Sequence, residues 1–274
     1  MTQISILGCG WLGLPLAKKL IGKGYSVNGS TTTQNKLSIL ESAGINPFLV
    51  ALESESITES IKDFLDKSDI LIIDIPPKLR GNNADSENSL RKIFVDKIDN
   101  LIPFIEKSTV KKVLFVSSTS VYGDENGIIT EETIPNPETE SGKQLLLSEA
   151  ILQENENFET TILRFGGLIG EDRHPVKFLA GKENLENPDA PVNLIHQKDC
   201  IFIIEQIINQ SKWNDVFNAV APFHPTRQDY YTQKAQEQNL ISPKFTVEKS
   251  NIKKTISSNK VENILSYQFD LDVY

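Results

Sequence analysis

Residues 8–13 read Gly-Cys-Gly-Trp-Leu-Gly, three glycines in the spacing G-x-G-x-x-G. That spacing suits one task, holding the pyrophosphate of a dinucleotide. Gly8 permits a tight turn, Gly10 lets the backbone approach the anion, and Gly13 lets the next helix pack closely on the preceding strand. Unpaired N–H groups at the helix start then face the negative charge. Context gives this short motif its weight. A strand-like run, Ile4–Leu7, leads in and a helical pattern over Leu12–Lys23 leads out. The nucleotide-binding set therefore begins with Gly8, Gly10, Trp11, Leu12 and Gly13. Cys9 has no histidine near it in sequence and is read as small filler rather than a nucleophile.

The end of the second strand bears on which dinucleotide is held. A site for NAD usually presents Asp or Glu there to the ribose hydroxyls. Residues 28–36, NGSTTTQNK, contain no acid. Ser30, Thr31 and Thr32 offer hydroxyls and Lys36 a positive charge, so NADP is expected in preference to NAD. Farther on, Arg173 is a candidate for binding an anionic substrate, and His174 for proton transfer near neutral pH. Arg227, near Tyr230, is a further substrate candidate. His196 and Asp199 are expected to orient a second lobe and cap a helix. Neither Cys9 nor Cys200 fits a metal-ligand spacing, and no metal is expected.

These residues need a scaffold, and the chain alternates strands with helices. Strands are predicted at Ile4–Leu7, Tyr25–Gly29, Asn46–Val50, 69–75, 111–118 and 160–165, with helices over Leu12–Lys23, Lys36–Ala43, Ser89–Glu106 and Lys143–Asn155. Ser56–Glu59 has capping-box spacing and predicts a helix to about Lys67. Such alternation implies an α/β fold, a Rossmann-type doubly wound parallel sheet. Ligands of such sheets sit at the carboxyl ends of the strands. That adds Pro76, Ser117 and Gly166 to the nucleotide-binding set. After Gly170 the elements shorten, with strand candidates in VNLI, DVFNAV and KFTVE and helices over Asp199–Gln210 and Asp229–Gln238. Residues 1–165 are read as the nucleotide-binding domain and 166–274 as a smaller mixed substrate-binding lobe, parts of which return to the sheet.

Bulk properties narrow the class. The 274 residues carry a formal charge of −9, which offers no overall basic footprint for nucleic acid or an anionic membrane. No apolar run approaches the roughly 20 residues of a membrane helix; ILIID is broken by Asp74 and CIFIIEQII by Glu205. With only two cysteines and a start that reads as the first strand, a cytoplasmic location and a small-molecule substrate are expected.

Residues 115–127, FVSSTSVYGDENG, carry a resemblance. A strand ending in Ser-Ser-x-x-Val-Tyr-Gly resembles the extended short-chain dehydrogenases/reductases, the group with nucleotide-sugar epimerases and dehydratases. Residues 129–143, 163–170, 192–200 and 230–240 resemble further segments of that family in order, so the likeness spans nearly the whole chain. It implies an NAD(P) cofactor, a nucleotide-sugar or related substrate, and a Tyr-x-x-x-Lys pair in which the lysine lowers the tyrosine pKa. On the family's Tyr-Gly-x-Ser-Lys pattern, Gly142 takes the motif glycine, Ser141 the tyrosine position and Leu145 the lysine position; the family serine is Ser118. The GCGWLG loop departs from the family's GxxGxxG and suits an atypical branch. The catalytic candidates are then Ser118, Ser141, Tyr122 and His174, and the substrate contacts Arg173, Asn193 and Arg227. Ser141 and Leu145 are expected to share a helix face directed into the site.

Two functions remain in view: an NAD(P)-dependent oxidoreductase or epimerase with altered acid/base groups, and a non-catalytic NAD(P)-binding sensor. A hydroxyacid-dehydrogenase type, suggested by GxGxxG, expects a long helical C-terminal domain, which the mixed pattern from Val192 to Glu248 disfavours.

Overall fold

The computed structural model describes residues 1–77, 93–124, 126–248 and 253–274. Seven parallel strands form the central sheet: β1 (Gln3–Leu7), β2 (Ser26–Thr31), β3 (Asn46–Leu49), β4 (Ile70–Ile73), β5 (Lys112–Ser118), β7 (Glu159–Phe165) and β10 (Val216–Ala219). Their spatial order is β3-β2-β1-β4-β5-β7-β10. The chain runs outward from β1 through β2 to β3, then returns to the other side of β1 at β4. The crevice between the carboxyl ends of β1 and β4 is thus a topological switch point, where doubly wound sheets bind ligands.

The strands are apolar and covered on both faces, as parallel sheets require. On one face pack α1 (Gly13–Gly22) and α7 (Gln197–Asn209), burying Leu16, Leu20, Ile203, Ile204 and Ile207 with Ile4 and Ile6. Lys19 of α1 and Lys23, its C-cap, both reach the buried Glu205 of α7, at 3.5 and 2.9 Å. On the other lie α3 (Ile61–Leu65), α4 (Ile93–Glu106) and α5 (Glu140–Gln153), burying Phe64, Phe94, Ile98, Leu101 and Leu145 against Leu71, Val113 and Phe115. Between β2 and β3 runs the short α2 (Leu37–Ser42).

A third apolar cluster, including Ile169, Val176, Leu194, Tyr230 and Tyr231, holds the C-terminal elements: β8 (Gly167–Ile169) paired with β9 (Leu194–His196), α6 (Val176–Leu179) and α8 (Arg227–Glu237). β11 (Lys254–Ile256) pairs in parallel with β6 (Gly127–Ile129), and α9 (Asn259–Leu265) follows. The DVFNAV segment supplies β10, the edge strand beside β7. No described helix is long and apolar enough to cross a membrane.

Three expectations need correction. The helix over 56–67 shrinks to Ile61–Leu65. Ile57 instead bridges Leu52, Thr58 accepts the Ala51 N–H, and the Ser60 hydroxyl donates to the Leu49 carbonyl at 2.6 Å, so polar side chains that could open a helix bond the incoming loop instead. The KFTVE strand reduces to a single bridge from Phe245 to Leu185. The helix expected from Lys143 starts at Glu140, because Thr139 accepts the Gly142 N–H and caps it. The start expected at Ser89 lies outside the described residues. Pro103 does not end α4; it sits on the exposed face, where water can satisfy the carbonyl it frees.

Candidate functional site

The glycine loop joins β1 to α1 at the switch point. Gly8 has φ +107°, and a Cβ there would stand 2.3 Å from the Asp74 carbonyl oxygen. A Cβ on Gly13 would stand 2.3 Å from the Gly8 carbonyl, so α1 rests directly on the strand end. Gly10 differs: a Cβ there would meet no atom of the described residues within 4 Å. The loop is closed beneath Gly8 and Gly13 and open above Gly10. α1 has no side-chain N-cap, and the Trp11 and Leu12 N–H groups make no well-formed bond among the described residues. Two donors at a positive helix end beside an open glycine can hold an anion. The Leu12 side chain itself turns into the core. Cys9 is buried against Gly29, and burial, with Asp74 adding to it, pushes its thiol up to about 12, which leaves it unreactive packing.

At the end of β2, Ser30 accepts the Gly8 N–H at 2.9 Å and its carbonyl accepts the Cys9 N–H. Thr31 accepts the Thr33 N–H. Ser30 and Thr31 are both buried, so they shape the loop from below. Thr32, Thr33 and Lys36 are exposed beyond them. Pro76 is exposed after β4.

Trp11 ties this loop to the turn after β8 and to the start of α7. Its indole donates to Asp172 at 2.8 Å, its ring lies against Gly170, and the Arg173 guanidinium sits 4.9 Å from the ring centroid. Gln197 donates to the Trp11 carbonyl at 2.7 Å. Arg173 is exposed, a cation placed next to the glycine loop by stacking.

The catalytic candidates separate. Ser118 ends β5, half-buried, and its hydroxyl oxygen accepts the Ser120 N–H, leaving its own proton free to donate. Ser141 is half-buried in the first turn of α5. Leu145 does not share its outlook: it is 4% exposed and belongs to the core beneath α5. Tyr122 is fully buried, and its hydroxyl donates to Asn218 at 2.8 Å while accepting from Arg164 at 2.7 Å. Burial raises its pKa further. That correction removes Tyr122 as a proton donor to substrate. Ser117 is likewise turned inward, donating to Glu149 at 2.5 Å. Ser117, Arg164 and Asn218 are register partners across β5, β7 and β10. Glu149 of α5 holds Arg164 through its Nε and Nη2, the latter at 2.6 Å. The result is a buried, hydrogen-bonded lock of helix on sheet.

His174 is also corrected. Its Nδ1 accepts the Val176 N–H, its Nε2 faces the Tyr230 hydroxyl at 3.0 Å, and its ring stacks on Tyr230. Burial, then Lys234 and Lys177, push its pKa down to about 4, so it is a neutral packing group at pH 7. Asn193 bonds β11 rather than a ligand, donating to the Lys254 carbonyl and accepting the Ile256 N–H, both at 2.8 Å. Arg227 is anchored on the Glu186 carbonyl at 2.7 Å. Gly166 is buried, with a Cβ there standing 2.8 Å from the Asn193 carbonyl, so its close approach is to β9's lead-in. His196 caps α7 by accepting the Lys198 N–H, whereas Asp199, in the first turn of that helix, receives the Tyr267 and Tyr274 hydroxyls.

Asp74 was visible only as an acid interrupting an apolar run. It directly follows β4 under the glycine loop, accepts the Gly13 N–H, and burial pushes its pKa up to about 8. An acid closing a buried strand at the switch point was its available signal.

Comparison with known proteins adds the following. A family model described as NAD dependent epimerase/dehydratase family matches residues 4–182. Protein YeeZ of Escherichia coli (strain K12) is 33% identical over 271 residues, 98% of this chain and 96% of that protein. A sterol-4-alpha-carboxylate 3-dehydrogenase, decarboxylating, of Dictyostelium discoideum is 23% identical, over 87% of this chain and 76% of that one. Among solved structures, UDP-glucuronic acid 4-epimerase from Bacillus cereus in complex with NAD superposes with TM-score 0.80 at 17% identity, covering 97% of this chain and 91% of that one. MoeE5 in complex with UDP-glucose and NAD gives 0.78 at 16%, covering 99% and 95%. These structures share the fold.

Proposed function

The chain belongs to the NAD dependent epimerase/dehydratase family, and from that premise we propose that it binds NAD(P) on the Gly8–Gly13 loop as an oxidoreductase or epimerase-type protein, acting on a nucleotide sugar or related small molecule without the Tyr-x-x-x-Lys pair. The observation that supports the proposal is the pair of N–H groups, Trp11 and Leu12, unpaired among the described residues, beside space at Gly10 that no described atom fills and at the switch point of the sheet. Solved relatives of the same fold hold NAD with UDP-glucose or UDP-glucuronic acid. NADP is the preferred form: the end of β2 offers exposed Thr32 and Lys36 and no acid to repel a 2′-phosphate. Residues 1–165 carry the nucleotide and residues 166–274 the substrate side, with Arg173 the available cation.

The nucleotide supplies a hydride acceptor or donor when bound. The chain must then move a proton at the substrate oxygen. Ser118 would hydrogen-bond that oxygen, and Ser141 is the half-buried hydroxyl at the family's tyrosine position. A serine hydroxyl is a feeble acid near neutral pH. The inward commitment of Tyr122, His174 and Leu145 favours a second reading, a nucleotide sensor without turnover. Single-turnover cofactor absorbance with a panel of nucleotide sugars, on wild type and Ser118→Ala, separates the two. Slow turnover lost in Ser118→Ala supports the enzyme. No turnover with intact nucleotide binding supports the sensor, and fast turnover surviving Ser118→Ala places the chemistry elsewhere.

A further inference from the structure

Asp74 sits beneath the glycine loop as a fixed part of it. Its N–H donates to the Leu7 carbonyl at 2.9 Å, locking β4 to β1. Its Oδ2 lies 3.1 Å from where a Gly13 Cβ would stand, and its carboxylate accepts the Gly13 N–H. The first turn of α1 therefore already has an acid resting on it, supplied by the neighbouring strand. Among the described residues, the titratable groups facing it are the thiols of Cys9, from the loop, and Cys200, from α7, both kept protonated by burial. Beyond Cys200 lies Arg173, whose charge acts on that thiol. β1 has no titratable side chain, and β5 has only Lys112, paired with Ile70 at the far end of the sheet. No described lysine or arginine forms an ion pair with Asp74.

A pyrophosphate on the Trp11 and Leu12 N–H groups would bring a second anion to the same helix end. Two negative charges in one partly buried site disfavour joint ionisation. We propose that Asp74 is a proton-linked control on nucleotide binding: the nucleotide-bound protein carries a protonated Asp74 carboxyl, so binding takes up a proton and weakens as that group ionises in the free protein. The protonated group still accepts the Gly13 N–H through its carbonyl oxygen and gains an O–H donor. In the free protein burial raises the group to about 8, which sets the transition at mildly alkaline pH. This inference rests on the dinucleotide reading above.

The test is calorimetric titration of wild type and Asp74→Asn with NADPH and NADH from pH 6.5 to 9.5, in buffers of two ionisation enthalpies. The pyrophosphate stays ionised throughout, and the 2′-phosphate of NADPH titrates only near pH 6, about where phosphate monoesters do. Wild type is expected to bind about tenfold more weakly at pH 9 than at pH 7 and to take up close to one proton at pH 9. Asp74→Asn, of the same shape, is expected to bind at pH 9 as wild type does at pH 7, with no uptake. Wild-type affinity constant to pH 9.5 without proton uptake overturns the proposal while leaving nucleotide binding intact. A pH slope persisting in Asp74→Asn also overturns it. No binding of either nucleotide by wild type at pH 6.5 overturns this proposal and the dinucleotide reading together. Proton uptake by wild type is read without any variant, so the test holds even if Asp74→Asn folds poorly.

Discussion

Gly10→Val and Gly13→Ala are expected to fail in opposite ways, because the two glycines face different things. A Cβ on Gly10 meets no atom of the described residues within 4 Å, and its φ is not in the left-handed region. Valine there should change stability by no more than about 0.5 kcal/mol, the range of surface substitutions. Its branched side chain would instead fill the space through which a diphosphate reaches the Trp11 and Leu12 N–H groups. Charge-assisted hydrogen bonds contribute about 1.5–3 kcal/mol each, so losing two weakens binding by about 3–6 kcal/mol, at least about a hundredfold. A Cβ on Gly13 would stand 2.3 Å from the Gly8 carbonyl, a fixed backbone atom. Forcing α1 off β1 should cost about 1–3 kcal/mol, which for a chain of this size lowers Tm by roughly 3–10 °C. The assay is thermal unfolding followed by circular dichroism, together with calorimetric titration with NADPH. A folded Gly10→Val variant with undiminished affinity would refute the reasoning, as would a Gly13→Ala variant with unchanged Tm.

Three further outcomes follow from named contacts. Thr32→Asp places a carboxylate at the exposed end of β2 and is expected to shift preference from NADPH toward NADH, read as the ratio of the two Kd values; an unchanged ratio would move the 2′-phosphate elsewhere. His174 stays neutral when folded, with a pKa near 4 against about 6.5 unfolded, so as pH falls below 6.5 the unfolded chain takes a proton the folded one refuses. Stability to urea should therefore drop by about 1–2 kcal/mol between pH 7 and 5, and His174→Gln should remove that part of the pH dependence. Glu149→Ala leaves the Arg164 guanidinium and Ser117 hydroxyl without their buried acceptor and should destabilise by about 3–5 kcal/mol, visible in chemical denaturation; a loss under about 1 kcal/mol would mean the pair contributes like a surface bridge.

The sheet was legible where local pattern and tertiary role agree. Ile4–Leu7 followed by three spaced glycines can do little except turn into a helix, and it does so. The VSS ending of β5 was equally readable. Ser56–Glu59 misled because its side chains had a nearer backbone partner than a helix terminus, which spacing does not record. The candidate site was legible in its backbone and obscure in its side chains. Tyr122 and His174 carry reactive groups, yet pairing with Arg164 and Tyr230, 42 and 56 residues away in sequence, decides that both face inward. Leu145 shares a helix stripe with Ser141, but α5 meets a deep core one turn after its start. Asp74 was hidden for the converse reason, its meaning depending on Gly13 of another element.

The most direct measurement is a crystal structure of the protein grown with saturating NADPH. The account predicts the diphosphate over Gly10, with oxygens about 2.7–3.1 Å from the Trp11 and Leu12 nitrogens, the 2′-phosphate toward Thr32 and the nicotinamide toward Ser118. Nucleotide bound away from the Gly8–Gly13 loop, or a loop left empty at saturating NADPH, would contradict it.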